Sequence, residues 1–177
     1  TLAEDVGETA FLARAEAALD QGLKLVQLRE KGWPEERQRA LAAALVALAR
    51  PRGAKVLLNG DVELARAWDC DGVHLTSVRL ATATSRPDDL LCAASCHTRA
   101  DVDHAGAIGL DFAVLGPVLP TPSHAYSAIL GWAGFAAIAA LAPLPIFALG
   151  GLAAADLPVA TANGAHGVAL RRGAWLS

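Results

Sequence analysis

The sequence has no methionine, one tyrosine, four phenylalanines and four tryptophans, so aromatic residues make up only 5% of its 177 positions. The missing initiator leads to the expectation that the chain is a fragment or a processed form, with structure lost at either end. Cysteine is confined to Cys70, Cys92 and Cys96, an odd number that fits reduced, buried thiols better than a disulfide framework. Neither sign of charge dominates: 15 Lys and Arg against 18 Asp and Glu leave a net charge of -3, and no global basic field points to nucleic acid or an anionic membrane. Long apolar runs are lacking too. None reaches the ~18 residues of a membrane helix, because even the alanine-rich stretch 40–49 is bounded by Arg39 and Arg50. The start, Thr1-Leu2-Ala3-Glu4-Asp5, is acidic where a secretory signal is basic, and the expected compartment is the cytoplasm.

What is present is a 54% hydrophobic chain of a length that suits one compact domain. Short apolar runs alternate with Ala/Leu-rich helical stretches from end to end. Strands are expected at Leu23–Leu28, Lys55–Leu58, Gly72–Leu75, Leu91–Ser95, Phe112–Leu115, Pro145–Leu149 and Gly167–Leu170, each apolar enough to be buried on both faces. Helices are expected at Thr9–Gln21, Glu35–Arg50, Val62–Trp68, Ala100–Ile108, Trp132–Leu141 and Ala153–Ala162, with a shorter piece near Val78–Thr84. Such alternation predicts a parallel α/β fold. A helix precedes the first strand, and a right-handed β-α-β series would place one more strand before it. The expectation is a (β/α)8 TIM barrel that lacks its first strand and last helix in this chain. An open doubly wound sheet is the alternative, and no Gly-rich dinucleotide fingerprint supports it.

In a barrel, side chains at the C-terminal strand ends gather on the face where barrel enzymes keep their chemistry. The first strand runs into Arg29-Glu30-Lys31, and the period of two puts Gln27, Arg29 and Lys31 on one side and Val26 and Leu28 on the other. That trio suits an anion or a polar heterocycle, although Arg29 and Lys31 could equally enter a solvated loop. Asn59 ends the second strand as a hydrogen-bonding group, while Asp61 reads as the N-cap of the next helix. His74, alone in an apolar strand, is read first as a packed core residue. Cys96 and His97 are adjacent in a strand and point to opposite faces, which argues against a Cys/His nucleophile, and no second pair completes a zinc site. Phe147-Ala148-Leu149-Gly150-Gly151 ends a strand in a glycine pair able to bring amide groups to an anion, with a helix N-terminus expected to follow. Arg171 and Arg172 end the last strand. Barrels often bind phosphate with the loops after their last two strands, so Gly150, Gly151, Arg171 and Arg172 are the expected phosphate-binding residues. The one extended loop, between Gly116 and Gly131, offers Thr121, Ser123 and His124, and His124 could serve as a general acid or base.

Several short motifs, taken in order, resemble the thiamine-phosphate synthase / TenI superfamily of (β/α)8 barrels. They are Val26-Gln27-Leu28-Arg29-Glu30-Lys31, Leu57-Leu58-Asn59, Asp71-Gly72-Val73-His74-Leu75, Ser95-Cys96-His97, Gly116-Pro117-Val118-Leu119-Pro120-Thr121, Ala148-Leu149-Gly150-Gly151-Leu152 and Gly164-Ala165-His166-Gly167-Val168-Ala169. The segments Ala94-Ser95-Cys96-His97 and Leu130-Gly131-Trp132 resemble the version fused behind a Nudix hydrolase domain, which implies a fused Nudix partner upstream. The synthase joins a hydroxymethylpyrimidine diphosphate to a thiazole phosphate and releases pyrophosphate with Mg²⁺. The resemblance implies that Gln27, Arg29, Lys31 and Asn59 line the pyrimidine and diphosphate side, that Ser95 and Thr121 lie at the centre, and that Gly150 and Gly151 hold the thiazole phosphate.

The departures are equally specific. Synthases carry Asn-Asp-Arg where this chain has Asn59-Gly60-Asp61, and their second metal aspartate falls at about Arg79. Loss of both removes hard oxygen ligands for Mg²⁺, with Asp61 as a substitute one position later. The Thr-Lys of the loop is Ser123-His124 here. The TenI branch, the thiazole tautomerases, resembles Asn59-Gly60 and needs no metal, but its catalytic histidine falls at Pro117. Three readings follow: a TenI-like domain that binds or converts a phosphorylated thiazole, with His124 as its proton-transfer group; an Mg²⁺-dependent synthase; and a non-catalytic phosphate-ligand module of a Nudix fusion protein. No cofactor and no metal ligands are expected unless the synthase reading holds. The partner is a small phosphorylated heterocycle, with a homo-oligomer also considered and neither nucleic acid nor membrane expected.

Overall fold

A computed structural model of the protein describes residues 3–121, 128–171 and 173–175. The chain divides into two compact units, one made of residues 1–74, 88–91 and 175–177 and the other of 75–87 and 92–174. Both alternate parallel strands with helices.

The first unit opens with α1 (Ala3–Val6) and α2 (Glu8–Asp20) and continues through β1 (Leu25–Leu28), α3 (Glu35–Ala49), β2 (Lys55–Asn59) and α4 (Val62–Ala67) to β3 (Gly72–Leu75). β1 pairs parallel with β2, Leu28 opposite Leu58, and β2 pairs parallel with β3, Asn59 opposite His74. The helices form because apolar residues recur at helical spacing. On α3 the buried set is Leu41, Ala42, Leu45, Val46 and Ala49, a single face at i, i+1, i+4, i+5 and i+8. Gly22, at φ 101°, ends the first long helix, and its N–H returns to the Leu19 carbonyl, as expected of a left-handed C-terminal glycine. The expected Asp61 cap is present, its carboxylate accepting from the amides of Glu63 and Leu64.

The second unit runs from α5 (Ser77–Thr82) through β4 (Leu91–Cys96), α6 (Arg99–Ala107), β5 (Phe112–Leu115), α7 (Gly131–Ala139), β6 (Ile146–Leu149) and α8 (Leu157–Ala162) to β7 (Gly167–Ala169). β4 to β7 pair parallel in chain order, with Ser95 opposite Val114, Leu115 opposite Ala148, and Leu149 opposite Ala169. The expected helix at Ala153–Ala162 is in fact two pieces, a 3-10 turn at Ala154–Asp156 and then α8. Pro158 fixes the first turn of α8, and the preceding 3-10 turn absorbs the change of direction. The first strand starts at Leu25 rather than Leu23, because Leu23 still bonds back to Ala18 as the helix unwinds.

One device recurs where strands begin. Asp71 donates its amide to the Val56 carbonyl and accepts the Val56 amide on its side chain at 2.9 Å. Asp111 does the same with Cys92, accepting its amide at 2.7 Å, and also pairs with Arg86. At the equivalent place before β7, His166 donates its amide to Ile146 and sets its ring edge-on to Phe147. Each residue fixes the start of one strand against the strand before it, so register is set at the N-terminal ends and the C-terminal ends are left for other duties. Asp111→Ala removes an acceptor from a buried strand amide and a partner from Arg86. It is expected to cost about 1–3 kcal/mol of unfolding free energy, measured by urea denaturation, whereas Asp103→Ala on the exposed face of α6 costs under about 0.5 kcal/mol.

Candidate functional site: the C-terminal strand ends

In the first unit the alternation expected around Gln27 is present. Val26, Leu28 and Glu30 are buried, Gln27 and Arg29 are half-buried, and Lys31 is exposed in the turn after β1. Asn59, half-buried at the end of β2, turns its side-chain amide toward the His74 carbonyl, which also receives the Gly60 amide at 3.2 Å. The pairing of Leu28 with Leu58 places Arg29 and Asn59 at the next step along two neighbouring strands.

One residue that the sequence analysis did not single out, Glu30, supports this cluster. Glu30 is 4% exposed, and its carboxylate accepts the amides of Ala3 and Glu4 at 3.3 and 3.1 Å. A buried carboxylate needs such donors, and this one pins the stretch that carries Arg29 and Lys31. Beyond it, Arg37 stacks over the Trp33 ring and Gln38 donates to the Trp33 carbonyl. Glu30 was passed over because, between two cations, it reads as part of a solvated run. Its burial follows the strand parity that Val26 and Leu28 already display.

His74 is the core residue expected. It is 2% exposed, and burial pushes its imidazole down to about 4, with the positive charge of Arg29 acting in the same direction. The ring is therefore neutral at physiological pH. Burial likewise raises the thiols of Cys70 to about 11 and Cys96 to about 12, and none of the three buried cysteines forms a disulfide. Cys70 and Cys96 are therefore thiols, not thiolates, at neutral pH.

In the second unit the strand ends carry Ser95 near the end of β4, Gly116 and Pro117 after β5, Gly150 and Gly151 after β6, and Arg171 after β7. Ser95 is half-buried, as is Thr121, while Arg171 is exposed. The segment 116–120 lies against the end of β6. Val118 donates to Leu149 at 2.8 Å and Leu119 to Gly150 at 3.0 Å. The approach leaves no room for side chains: a Cβ on Gly150, at φ 105°, would sit 2.7 Å from the Pro117 Cα, and one on Gly151, at φ 69°, would sit 2.6 Å from the Pro120 carbonyl oxygen. Both the positive φ and the close contact require glycine.

One part of the sequence reading changes here. The helix N-terminus expected directly after the glycine pair is displaced by the 3-10 turn, and the Ala153 amide at that turn is taken by the Asp156 carboxylate at 2.8 Å. An anion at Gly150 and Gly151 therefore gains amide groups of the strand end, not a helix dipole. His124 and Arg172 lie outside the described residues.

The magnesium site of the resembled synthases was tested against the residues present. Gly60 has no side chain, Asp61 spends its carboxylate on the α4 cap, and Arg79 brings a cation where a carboxylate is needed. Among the described residues no group of three His, Cys, Asp or Glu side chains could hold a metal ion. The two carboxylates with which the resembled synthases would hold Mg²⁺ are therefore not supplied at these positions.

Parallel α/β units with polar residues at their C-terminal strand ends are of the TIM-barrel type. The family model for thiamine monophosphate synthase matches residues 1–174. The "Putative thiamine-phosphate synthase" of Geobacter sulfurreducens is 42% identical over 168 residues, covering 93% of this chain and 79% of that protein. The thiamine-phosphate synthase of Bacteroides fragilis is 31% identical, covering 91% and 83%. Among solved structures, a thiamine phosphate pyrophosphorylase from Pyrococcus furiosus superposes with a TM-score of 0.76 at 25% identity, over 90% of this chain and 78% of that one. A 3-hexulose-6-phosphate synthase, at 15% identity and a TM-score of 0.65 over 90% of this chain and 82% of its own, shares the fold alone. The chain belongs to the thiamine monophosphate synthase family. These similarities concern the family as a whole and do not single out its Nudix-fused version. No helix among the described residues is long and apolar enough to cross a membrane.

His74 provides a check on the first unit. Its folded value lies below its ordinary one, so the unfolded chain takes up a proton first as pH falls. Stability conferred by the neutral ring is fully present above about pH 6.5 and declines as pH falls, by about 3 kcal/mol at pH 4. The expected observation is a His74 imidazole that shows no titration above pH 5.5 in the folded protein. A midpoint near 6.5 would contradict the burial argument.

Proposed function

We propose that this chain binds a phosphorylated thiazole of thiamine biosynthesis at the C-terminal strand ends, and that it does so without a divalent metal. The observation that carries the reading is the Gly150-Gly151 turn, where two consecutive glycines with positive φ are held against the 116–120 segment at distances no side chain tolerates. A strand end kept free of side chains brings backbone amides to a ligand oxygen, and an anion is the ligand that gains most from amide donors. Arg171, just beyond the end of the neighbouring β7, supplies positive charge on the same side of the sheet order. Ser95 and Thr121 add hydroxyl donors in the same unit, and in the first unit Gln27, Arg29, Lys31 and Asn59 form a polar set of their own at the ends of β1 and β2.

Conversion of the ligand requires a proton-transfer group. His74 is unsuited because its buried ring stays neutral and enclosed. His124 is the one imidazole of the long loop, and we assign it that role. The domain architecture is one barrel-type domain over residues 1–177, with cytoplasmic location as the accompanying expectation.

The Mg²⁺-dependent synthase is kept as a second reading because the relatives at 42% and 31% identity are named a putative thiamine-phosphate synthase and a thiamine-phosphate synthase. The two readings differ in what they need. Calorimetric titration with the thiazole phosphate in EDTA is expected to give micromolar binding that Mg²⁺ leaves unchanged. Pyrophosphate release from the pyrimidine diphosphate is expected to be absent with or without Mg²⁺. Gly151→Ala is expected to weaken thiazole phosphate binding by tenfold or more, and His124→Ala to abolish turnover of the thiazole phosphate while leaving its affinity within about threefold. Binding that appears only with Mg²⁺ and the diphosphate would establish the synthase reading instead.

A further inference from the structure

His97 was set aside at the sequence level because it cannot pair with Cys96 in one strand. Its place in the fold gives it another task. Its backbone amide donates to the Asp101 carboxylate at 2.8 Å, inside the capping box that Thr98 and Asp101 form at the start of α6. On its other side the ring Nδ1 lies 2.6 Å from the Gly116 carbonyl oxygen. A carbonyl oxygen only accepts, so Nδ1 carries the proton and donates. The same Gly116 is locked from behind: a Cβ there would fall 2.1 Å from the Leu149 carbonyl oxygen. From Gly116 the chain passes directly into Pro117 to Pro120, the segment against which Gly150 and Gly151 are packed.

We propose that His97 is a positioning residue for the phosphate site. By holding the Gly116 carbonyl it fixes the 117–120 segment, and that segment in turn keeps Gly150 and Gly151 in their positive-φ conformation. The linkage is continuous and each step is a hydrogen bond or a close contact: α6 cap, His97 amide, His97 ring, Gly116 carbonyl, Val118 to Leu149, Leu119 to Gly150. His97 acts through the loop and does not touch the ligand. The proposal rests on the reading of Gly150 and Gly151 as the phosphate site, and its test separates the two.

The first measurement needs no ligand. The imidazole nitrogen spectrum of the whole chain at pH 7.5 and above is expected to show His97 as the Nδ1–H tautomer, and the Nε2–H tautomer would overturn the proposal outright. The second compares hydroxyethylthiazole phosphate with its unphosphorylated alcohol. His97→Ala is expected to weaken the phosphate ester at least tenfold and the alcohol less than twofold, because only the phosphate depends on the glycine pair. His97→Asn, whose side-chain N–H falls near the place of Nδ1, is expected to restore phosphate affinity to within about threefold. Unchanged phosphate binding in His97→Ala, equal loss for both ligands, or an Asn variant no better than Ala would each overturn the positioning role. If the unaltered protein binds neither phosphate ester nor alcohol while showing the expected tautomer, the phosphate-site reading is what has failed.

Discussion

The constraint on which the second unit depends is the approach of segment 116–120 to the end of β6, closer than any side chain permits. Gly116, Gly150 and Gly151 are each required there, and hydrogen bonds from Val118 and Leu119 to Leu149 and Gly150 hold the two backbones together. Backbone amide and carbonyl groups buried at such a contact must be paired, and the pairing gives the segment after β5 the character of an added, irregular strand. The consequence is a tightly paired backbone contact at the strand end proposed above to bind phosphate. Rigid presentation of donors lowers the ordering cost of binding, which a mobile loop of the same composition would not do.

The two ends of the strands are specialised in opposite ways. At their starts, Asp71 and Asp111 return a carboxylate to a strand amide, and His166 stands at the third equivalent place with an aromatic contact instead. These fix register and contribute to stability. At their ends stand Gln27, Asn59, Ser95 and the glycine pair, residues that add little packing and offer hydrogen-bonding groups. Glu30 joins the two roles, being buried like a core residue yet adjacent in sequence to the cations it steadies. The division matches the general behaviour of parallel barrels, in which stability resides at one end of the strands and chemistry at the other.

Much of this was legible in the sequence. The parallel α/β class, the positions of seven strands and the parity that separates Gln27 and Arg29 from Val26 and Leu28 follow from hydrophobic periodicity, which reports burial directly. The Asp61 cap and the core role of His74 follow from local chemistry and from residue type. What could not be read is whatever depends on contacts distant in sequence. The break before α8 is the local exception, the Asp156 carboxylate capturing the Ala153 amide three positions away. Glu30 is buried because an α1 segment some 26 residues away supplies its donors. His97 holds Gly116 across 19 positions, and nothing in either motif announces the other. The glycine pair was visible as a motif, but its reason, a neighbouring backbone within 3 Å, was not.

The central claim is that amides of the strand end, unaided by metal-ligating carboxylates, bind a phosphate group. Amide proton and nitrogen shifts recorded during titration with hydroxyethylthiazole phosphate in EDTA test it most directly. The account predicts that the Gly150 and Gly151 amides move downfield and furthest, with smaller changes at Ser95 and Arg171. Titration shifts that leave Gly150 and Gly151 in place would contradict it.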